Sequence, residues 1–287
     1  MPGRGSSVPV TVSCVVLTRD EEKHIVACLE TLAWADDLLV VDSGSTDATV
    51  DLARGAGARV EYRAWRNYPD QRNAALDLAA CEWVFFVDAD ERATGQLAAE
   101  IRAVIAAPGL DASAARADSA LPSRAGVGEA HPGALPSNIV GFWVPRHNII
   151  FGKVIMHTGW YPDYQARLFR RGFGRFDPSR TVHELPIFDG AAGHLRHPLV
   201  HHNYDSVRQF LAKQFRYADY DAQRLYDQGL RPRLWAPLLQ PIRQFRWRFF
   251  TLQGYLDGGH GLLLSILMAY YDAVVYTRLR RRCRREQ

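Results

Sequence analysis

The 287-residue sequence has only four cysteines, and Cys14, Cys28, Cys81 and Cys283 are scattered. They have neither the close pair spacing of a zinc site nor the density of a disulfide scaffold, which excludes both and points to a reducing compartment. No glycine-rich turn follows the first apolar strand, which runs straight into Thr18-Arg19-Asp20-Glu21-Glu22. That absence argues against NAD-dependent dehydrogenases and nucleotidyltransferases, whose phosphate-cradling loops require such glycines. The apolar stretch near the start, Val8 to Leu17, alternates with polar residues and has no small-residue cleavage site, so it reads as a strand and not as a signal peptide. No apolar run reaches the roughly twenty residues of a membrane span. The longest, Leu262 to Tyr276, has fifteen residues with Ser265 and Asp272 inside it, and is expected to lie on a bilayer without crossing it. A repeat of solenoid length is also missing.

What the sequence does have is a hydrophobic content of 47% with 11% aromatics, enough for a sizeable core. Its net charge of +4 is local: six arginines fall between Arg278 and Arg285. From Val10 to Val87 the pattern alternates strand and helix, which builds a parallel sheet with covering helices. Strands are expected at Val12 to Leu17, Leu38 to Asp42, Val60 to Tyr62 and Trp83 to Val87. Helices are expected at Glu21 to Leu32, Asp47 to Arg54, capped by Thr46 or Asp47, and Pro69 to Ala80. Between 108 and 138 the chain turns to Ala, Ser, Gly and Pro with almost no large apolar residue, and is expected to be a disordered insertion. Order resumes with a strand from Ile139 to Pro145, and the pattern is helical beyond Tyr204.

The strongest chemical signal is Val84-Phe85-Phe86-Val87-Asp88-Ala89-Asp90-Glu91, an apolar strand that delivers three acids at its carboxyl end. Like charges gathered there call for a cation, and hard oxygen ligands favour Mg²⁺ or Mn²⁺, which would bridge the phosphates of a nucleotide. A second acidic loop, Asp42-Ser43-Gly44-Ser45-Thr46-Asp47, ends the second strand. There Gly44 permits a tight turn, Ser45 and Thr46 are able to cap the helix, and Asp42 is placed to accept hydrogen bonds from a base or ribose. Glu21 and Glu22 read as helix-start charges favoured by the dipole. Asn73 is open between a ligand and a structural amide. His201 is open between a metal ligand, a donor to a diphosphate and a satisfied structural histidine.

These pieces together resemble the inverting family 2 glycosyltransferases of the GT-A fold. The matching residues are Val15 to Glu22, Val41 to Asp47, Gln71-Arg72-Asn73 and Asp88-Ala89-Asp90-Glu91, and the resemblance covers roughly residues 10 to 205. Gly159 to Asp163, Arg167 to Arg171 and Val182-His183-Glu184 bring it nearest to bacterial lipopolysaccharide inner-core β-1,4-glucosyltransferases. The resemblance implies an α/β, GT-A-like fold: a mostly parallel mixed sheet flanked by helices, with a helical C-terminal extension. A glycosyltransferase domain would run over 8–205, with a nucleotide-sugar half at 8–107 and an acceptor half at 139–205. Thr18 and Asp42 would contact the base, with Ser45 in the same loop, Arg72 would lie near base or phosphates, and Asp88 and Asp90 would serve diphosphate and metal.

Inversion needs a carboxylate to take the acceptor hydroxyl proton. The family places its base in an acidic pair before an arginine-bearing stretch. Pro162-Asp163 followed by Arg167 matches the second acid and the arginine, with Pro162 in place of the first acid, so Asp163 is the expected base and Glu184 its rival. The donor is expected to be UDP-glucose and the acceptor a lipid-linked saccharide. Residues 206–287 are expected to form an amphipathic extension. Its aromatics and arginines suit an anionic membrane surface at the inner face of the cell membrane, and no nucleic-acid partner is expected.

Overall fold

The computed structural model describes residues 10–106, 139–178 and 186–285. The expected insertion at 108–138 and the Val182-His183-Glu184 segment, with the alternative base Glu184, lie outside the described residues. In chain order the elements begin β1 (Val12–Thr18), α1 (Ile25–Glu30), β2 (Asp37–Asp42), α2 (Thr49–Gly55), β3 (Arg59–Tyr62), α3 (Tyr68–Leu78) and β4 (Trp83–Asp88). Next come β5 (Glu91–Ala93), α4 (Gly95–Ala106), β6 (Ile139–Val144), β7 (Arg146–Ile150), β8 (Lys153–Ile155) and β9 (Gln165–Arg170). The chain ends with β10 (Gly174–Phe176), β11 (Pro186–Phe188), β12 (Ala191–His194), β13 (Leu199–Tyr204), α5 (Val207–Asp227), α6 (Ala236–Arg246) and α7 (Gly259–Arg285).

Two compact units result, neither continuous in sequence: Met1–Arg146 with Tyr164–Val200, and His147–Asp163 with His201–Gln287. The first is built on a seven-stranded mixed sheet in the order β12-β6-β9-β4-β1-β2-β3. Strands β1 to β4 run parallel, and β9 runs antiparallel to both β4 and β6. Alternate residues feed two cores, as strands buried on both faces require. Val12, Cys14, Val16, Phe85 and Val87 join Ile25, Leu29, Leu97 and Ile101 on one face. Val15, Leu39, Val41, Val84 and Phe86 join Ala75, Leu76 and Phe169 on the other. Arg167 and Arg170 sit on the inner strand β9, whose middle four residues are all buried.

Register places the functional loops. Thr18 pairs with Asp42 and Leu17 with Asp88, so three strand ends reach the carboxyl edge of the sheet in one row. The first helix starts at Ile25, four residues later than the sequence suggests. The N–H of Glu21 is committed to Thr49 Oγ1 (2.8 Å) and that of Glu22 to Asp47 Oδ2 (3.2 Å), which holds both in the loop. At α2, Ala48 occupies the cap position without a side-chain bond, and Asp47 Oδ1 accepts from the Thr49 N–H at 3.0 Å.

The second unit has its own cores. Ile150, Ile155, Tyr204 and Phe210 pack with Leu264, Leu267 and Met268 of α7, and Ala218 and Ala222 of α5 pack with Val275 and Leu279. Within this unit β7 and β8 form an antiparallel hairpin. Helix α7 is long and apolar enough, by length and composition, to cross a membrane, although the sequence offered only a fifteen-residue apolar run. The core helix of a globular unit meets the same criterion.

Candidate functional site

The first two loops of the first unit are sewn together. Asp20 takes a left-handed conformation (φ 55°), which aspartate tolerates better than most residues. Its N–H donates to Ser45 Oγ (2.9 Å) and its Oδ1 accepts from the Thr46 N–H (2.7 Å). Glu22 Oε2 accepts from the Ala48 N–H (3.3 Å), so this acid serves the start of α2 and not that of α1. Asp42, 3% exposed, accepts from the N–H groups of Gly44 (2.8 Å) and Ser45 (3.0 Å), from Ser45 Oγ and from Thr18 Oγ1 (3.3 Å). Gly44 supplies the turn with φ +95°, a conformation other residues resist. Thr18, Asp42 and Ser45 are therefore one preorganised cluster.

Asp88 sits in a second cluster made of charges. Arg167, 2% exposed, grips both its carboxylate oxygens and also donates to Glu91 Oε1 at 2.6 Å. Glu91 has no exposed surface, and it accepts from the Asp88 N–H (2.9 Å) and from Arg146 Nη1 (3.3 Å). Arg72 lies 3.6 Å from Asp88 Oδ1, with its guanidinium 5.4 Å from the ring centres of both Phe86 and Phe176. Burial pushes the Asp88 carboxyl up, but the guanidiniums of Arg167, Arg72 and Arg146 hold it far below the usual carboxylate range. Arg92 ties down the turn that carries Asp90, donating to the carbonyls of Ala89 (2.8 Å), Glu91 (2.7 Å) and His24 (3.2 Å).

Facing this is a surplus of negative charge. Burial, then Asp90, Asp47, Asp88 and Asp20, push the Glu21 carboxyl up to about 7. A divalent cation would relieve that potential. Among the described residues no three His, Cys, Asp or Glu side chains gather into a ready-made cage. Mg²⁺ needs none, since it is commonly held by one or two carboxylates plus substrate phosphates and waters. The oxygen donors of this cluster fit such an ion.

In the second unit the expected base, Asp163, accepts from Asn148 Nδ2 at 3.1 Å. Asn148 is fully buried, and the same amide nitrogen reaches the Trp160 carbonyl (3.1 Å) while its oxygen meets His201 Nδ1 (2.7 Å) and Asn203 Nδ2 (3.2 Å). An amide oxygen only accepts, so Nδ1 of His201 carries the proton in that bond.

The sequence did not single out Asn148, Arg146 or Arg92, and gave Glu91 no role of its own. Glu91 had a signal, as the acid that closes the Asp88-Ala89-Asp90-Glu91 run; a lone asparagine in an aromatic, basic stretch had none. Arg167, which entered only through the resemblance, pairs with two carboxylates. Asn73 takes the structural option, since its amide clamps the backbone N–H and carbonyl of Phe176, both at 2.9 Å.

The model of the family described as glycosyl transferase family 2 matches residues 13–171, more than half of the chain. A lipopolysaccharide core biosynthesis glycosyltransferase, LpsC of Rhizobium meliloti (strain 1021), is 27% identical over 280 residues, covering 93% of this chain and 92% of that protein. An uncharacterized glycosyltransferase of Rickettsia conorii is 25% identical, covering 96% of this chain and 91% of its own. Among solved structures, glucosyl-3-phosphoglycerate synthase from Mycobacterium tuberculosis in complex with Mg²⁺ and UDP is 27% identical over 29% of this chain and 34% of that one, with a TM-score of 0.27. The mixed sheet with flanking helices is the GT-A fold, and the activity is that of a transferase. The chain belongs to glycosyl transferase family 2.

Proposed function

We propose that the protein transfers glucose from UDP-glucose to a hydroxyl of a lipid-linked saccharide of the lipopolysaccharide inner core, forming a β-1,4 linkage with inversion at the cytoplasmic face of the membrane. The observation that carries the reading is the likeness to LpsC over 93% of this chain and 92% of that protein. In this reading the cluster of Thr18, Asp42 and Ser45 receives the nucleoside, and Arg72 and Asp88 lie toward the diphosphate. Asp163 takes the proton of the acceptor hydroxyl as its oxygen bonds to the anomeric carbon and the bond to the diphosphate breaks. Asn148 orients the Asp163 carboxylate for that step. A bound Mg²⁺ or Mn²⁺, with Asp90 and Asp88 as its carboxylates, would supply charge neutralisation on the departing diphosphate. His201 as a nitrogen ligand is a separate proposal, which His201→Gln tests through the apparent Mn²⁺ affinity; an unchanged affinity sinks it.

Thermal stabilisation by a panel of nucleotide sugars, with and without Mn²⁺, tests the donor. A ligand at a hundred times its dissociation constant stabilises the folded state by about 2.7 kcal/mol. UDP-glucose should raise the melting temperature most, and only with the metal. Equal stabilisation by UDP-galactose or GDP-mannose would overturn the donor assignment. Radiolabelled transfer to core-truncated lipopolysaccharide, set against polyprenyl phosphate, decides the acceptor.

A further inference from the structure

The second unit carries a surface that its own cores do not use. Leu238 and Ile242 of α6 are 72% and 56% exposed, and Leu239 and Trp235, the residue that caps the helix, are 44% and 48% exposed. At the 100° per residue of a helix these four fall within about 100° of arc, so they form one stripe. Arg246 continues the stripe and Arg243 borders it, both exposed. Leu234, 71% exposed, extends it at the other end. There Arg280 of α7 donates to the Leu234 carbonyl at 3.2 Å, which brings the arginine-rich end of α7, with exposed Arg281 and Arg284, beside the start of the stripe. A contact across 46 residues of sequence thus joins an apolar face to a cationic one.

Charge decides what covers it. Between Gln228 and Leu256 there are five arginines and no acidic residue. Among the described residues Arg233, Arg243, Arg246 and Arg280 have no carboxylate partner. A symmetric dimer would set this patch against itself and oppose arginine to arginine. An anionic bilayer satisfies both halves, with leucine and tryptophan side chains at the acyl boundary and guanidiniums among the headgroups. Helix α7, the longer and more apolar helix, is a poorer candidate. It spends Leu264, Leu267, Met268, Val275 and Leu279 on the cores of its own unit.

We propose that α6, flanked by the arginines at the end of α7, is the element that docks this protein on an anionic lipid surface, with α7 as its scaffold. The proposal rests on the reading that the protein works at a membrane, and names the face that does so.

The test is co-sedimentation of the full chain with equimolar phosphatidylglycerol and phosphatidylcholine vesicles, and with phosphatidylcholine alone. The variants are the triple Leu238→Ser, Leu239→Ser, Ile242→Ser and, on the exposed side of α7, Ile266→Ser. All four positions are exposed, so folding should survive, and circular dichroism checks it. The triple variant should partition about ten-fold or more weaker, from the apolar area withdrawn, and Ile266→Ser within about two-fold of the parent. Arg233→Gln, Arg243→Gln and Arg246→Gln together should cost about ten-fold or more at low salt and little at high salt. Parent binding with an unaffected triple variant would overturn the assignment to α6 and leave membrane action standing. No binding of the parent to anionic vesicles would overturn both. A dimer in lipid-free solution that the triple variant abolishes would make a second copy the occupant and overturn the proposal. A failed UDP-glucose stabilisation together with α6-dependent vesicle binding would sink the donor reading alone.

Discussion

The two units set different partners against the carboxylates of the proposed site. In the first, Asp88 is gripped by a buried guanidinium, with Arg72 beside it and Glu91 sharing Arg167. In the second, Asp163 meets a neutral amide whose other end holds a histidine. Charge holds a group strongly and fixes it as an anion, which suits a carboxylate that must stay ionised beside a diphosphate. An amide donor fixes the direction of a carboxylate, and in the proposed reaction it aims Asp163 at the acceptor hydroxyl. In the proposed reaction the first kind serves binding and the second handles the proton.

The sharpest way to break the comparison is at Asp90. Asp90→Asn should lower metal-dependent donor turnover by about 10³-fold or more while the fold survives, because it removes charge from a partly exposed turn. Near-normal turnover would mean the metal is held elsewhere. Asp163→Asn should lower kcat by about 10² to 10⁴-fold with donor binding intact, read by transfer and by thermal stabilisation with UDP-glucose. A matching loss of donor binding would place Asp163 on the donor instead of on the acceptor proton.

Arg167→Met should act on stability before activity. It leaves fully buried Glu91 with only Arg146 as a cation, and breaking such a buried pair costs about 3–5 kcal/mol. Chemical denaturation measures it, and a loss under about 1 kcal/mol would show that water or a shifted proton compensates. Asn148→Asp keeps the shape but puts a carboxylate beside Asp163, which should move the acid limb of the kcat profile up by about one pH unit or more. A purely structural Asn148 would lower kcat at every pH and leave the limb in place.

The same contrast explains what could be read beforehand. Strand and acid placement in the first unit were legible because each buried strand is an apolar run cut off by a polar loop, so Asp42 and Asp88 announce themselves by position. The partners that give those acids their character were not. Arg167 lies 79 residues beyond Asp88 and meets it only because β9 pairs with β4. Asn148 and His201 are 53 residues apart and carry no periodic signal. In the C-terminal segment the apolar content pointed to α7, whereas the exposed stripe belongs to α6. Composition registers apolar content without telling a face that packs from one that does not.

The smallest effect is expected at Glu21, and its sign is opposite to that of most carboxylates. Burial and the neighbouring acids raise its folded value from 4.5 to about 7. The folded protein therefore holds a proton that the unfolded chain releases above about 4.5, and this group's contribution to stability falls as pH rises from about 4.5 through 7. A salt-bridged aspartate would do the reverse. Metal-free protein should thus lose melting temperature across that window, and Glu21→Gln, which has no proton to lose, should show a flatter profile and be the more stable variant near pH 8. Mn²⁺ competes with the same proton through the shared potential, so its apparent affinity should rise with pH through about 7 in the parent and less steeply in Glu21→Gln. Melting curves over a pH series with and without Mn²⁺ separate the two effects. Parallel metal-free profiles for parent and variant would mean the surplus charge is spread over Asp90, Asp47 and Asp20 and is not concentrated on Glu21.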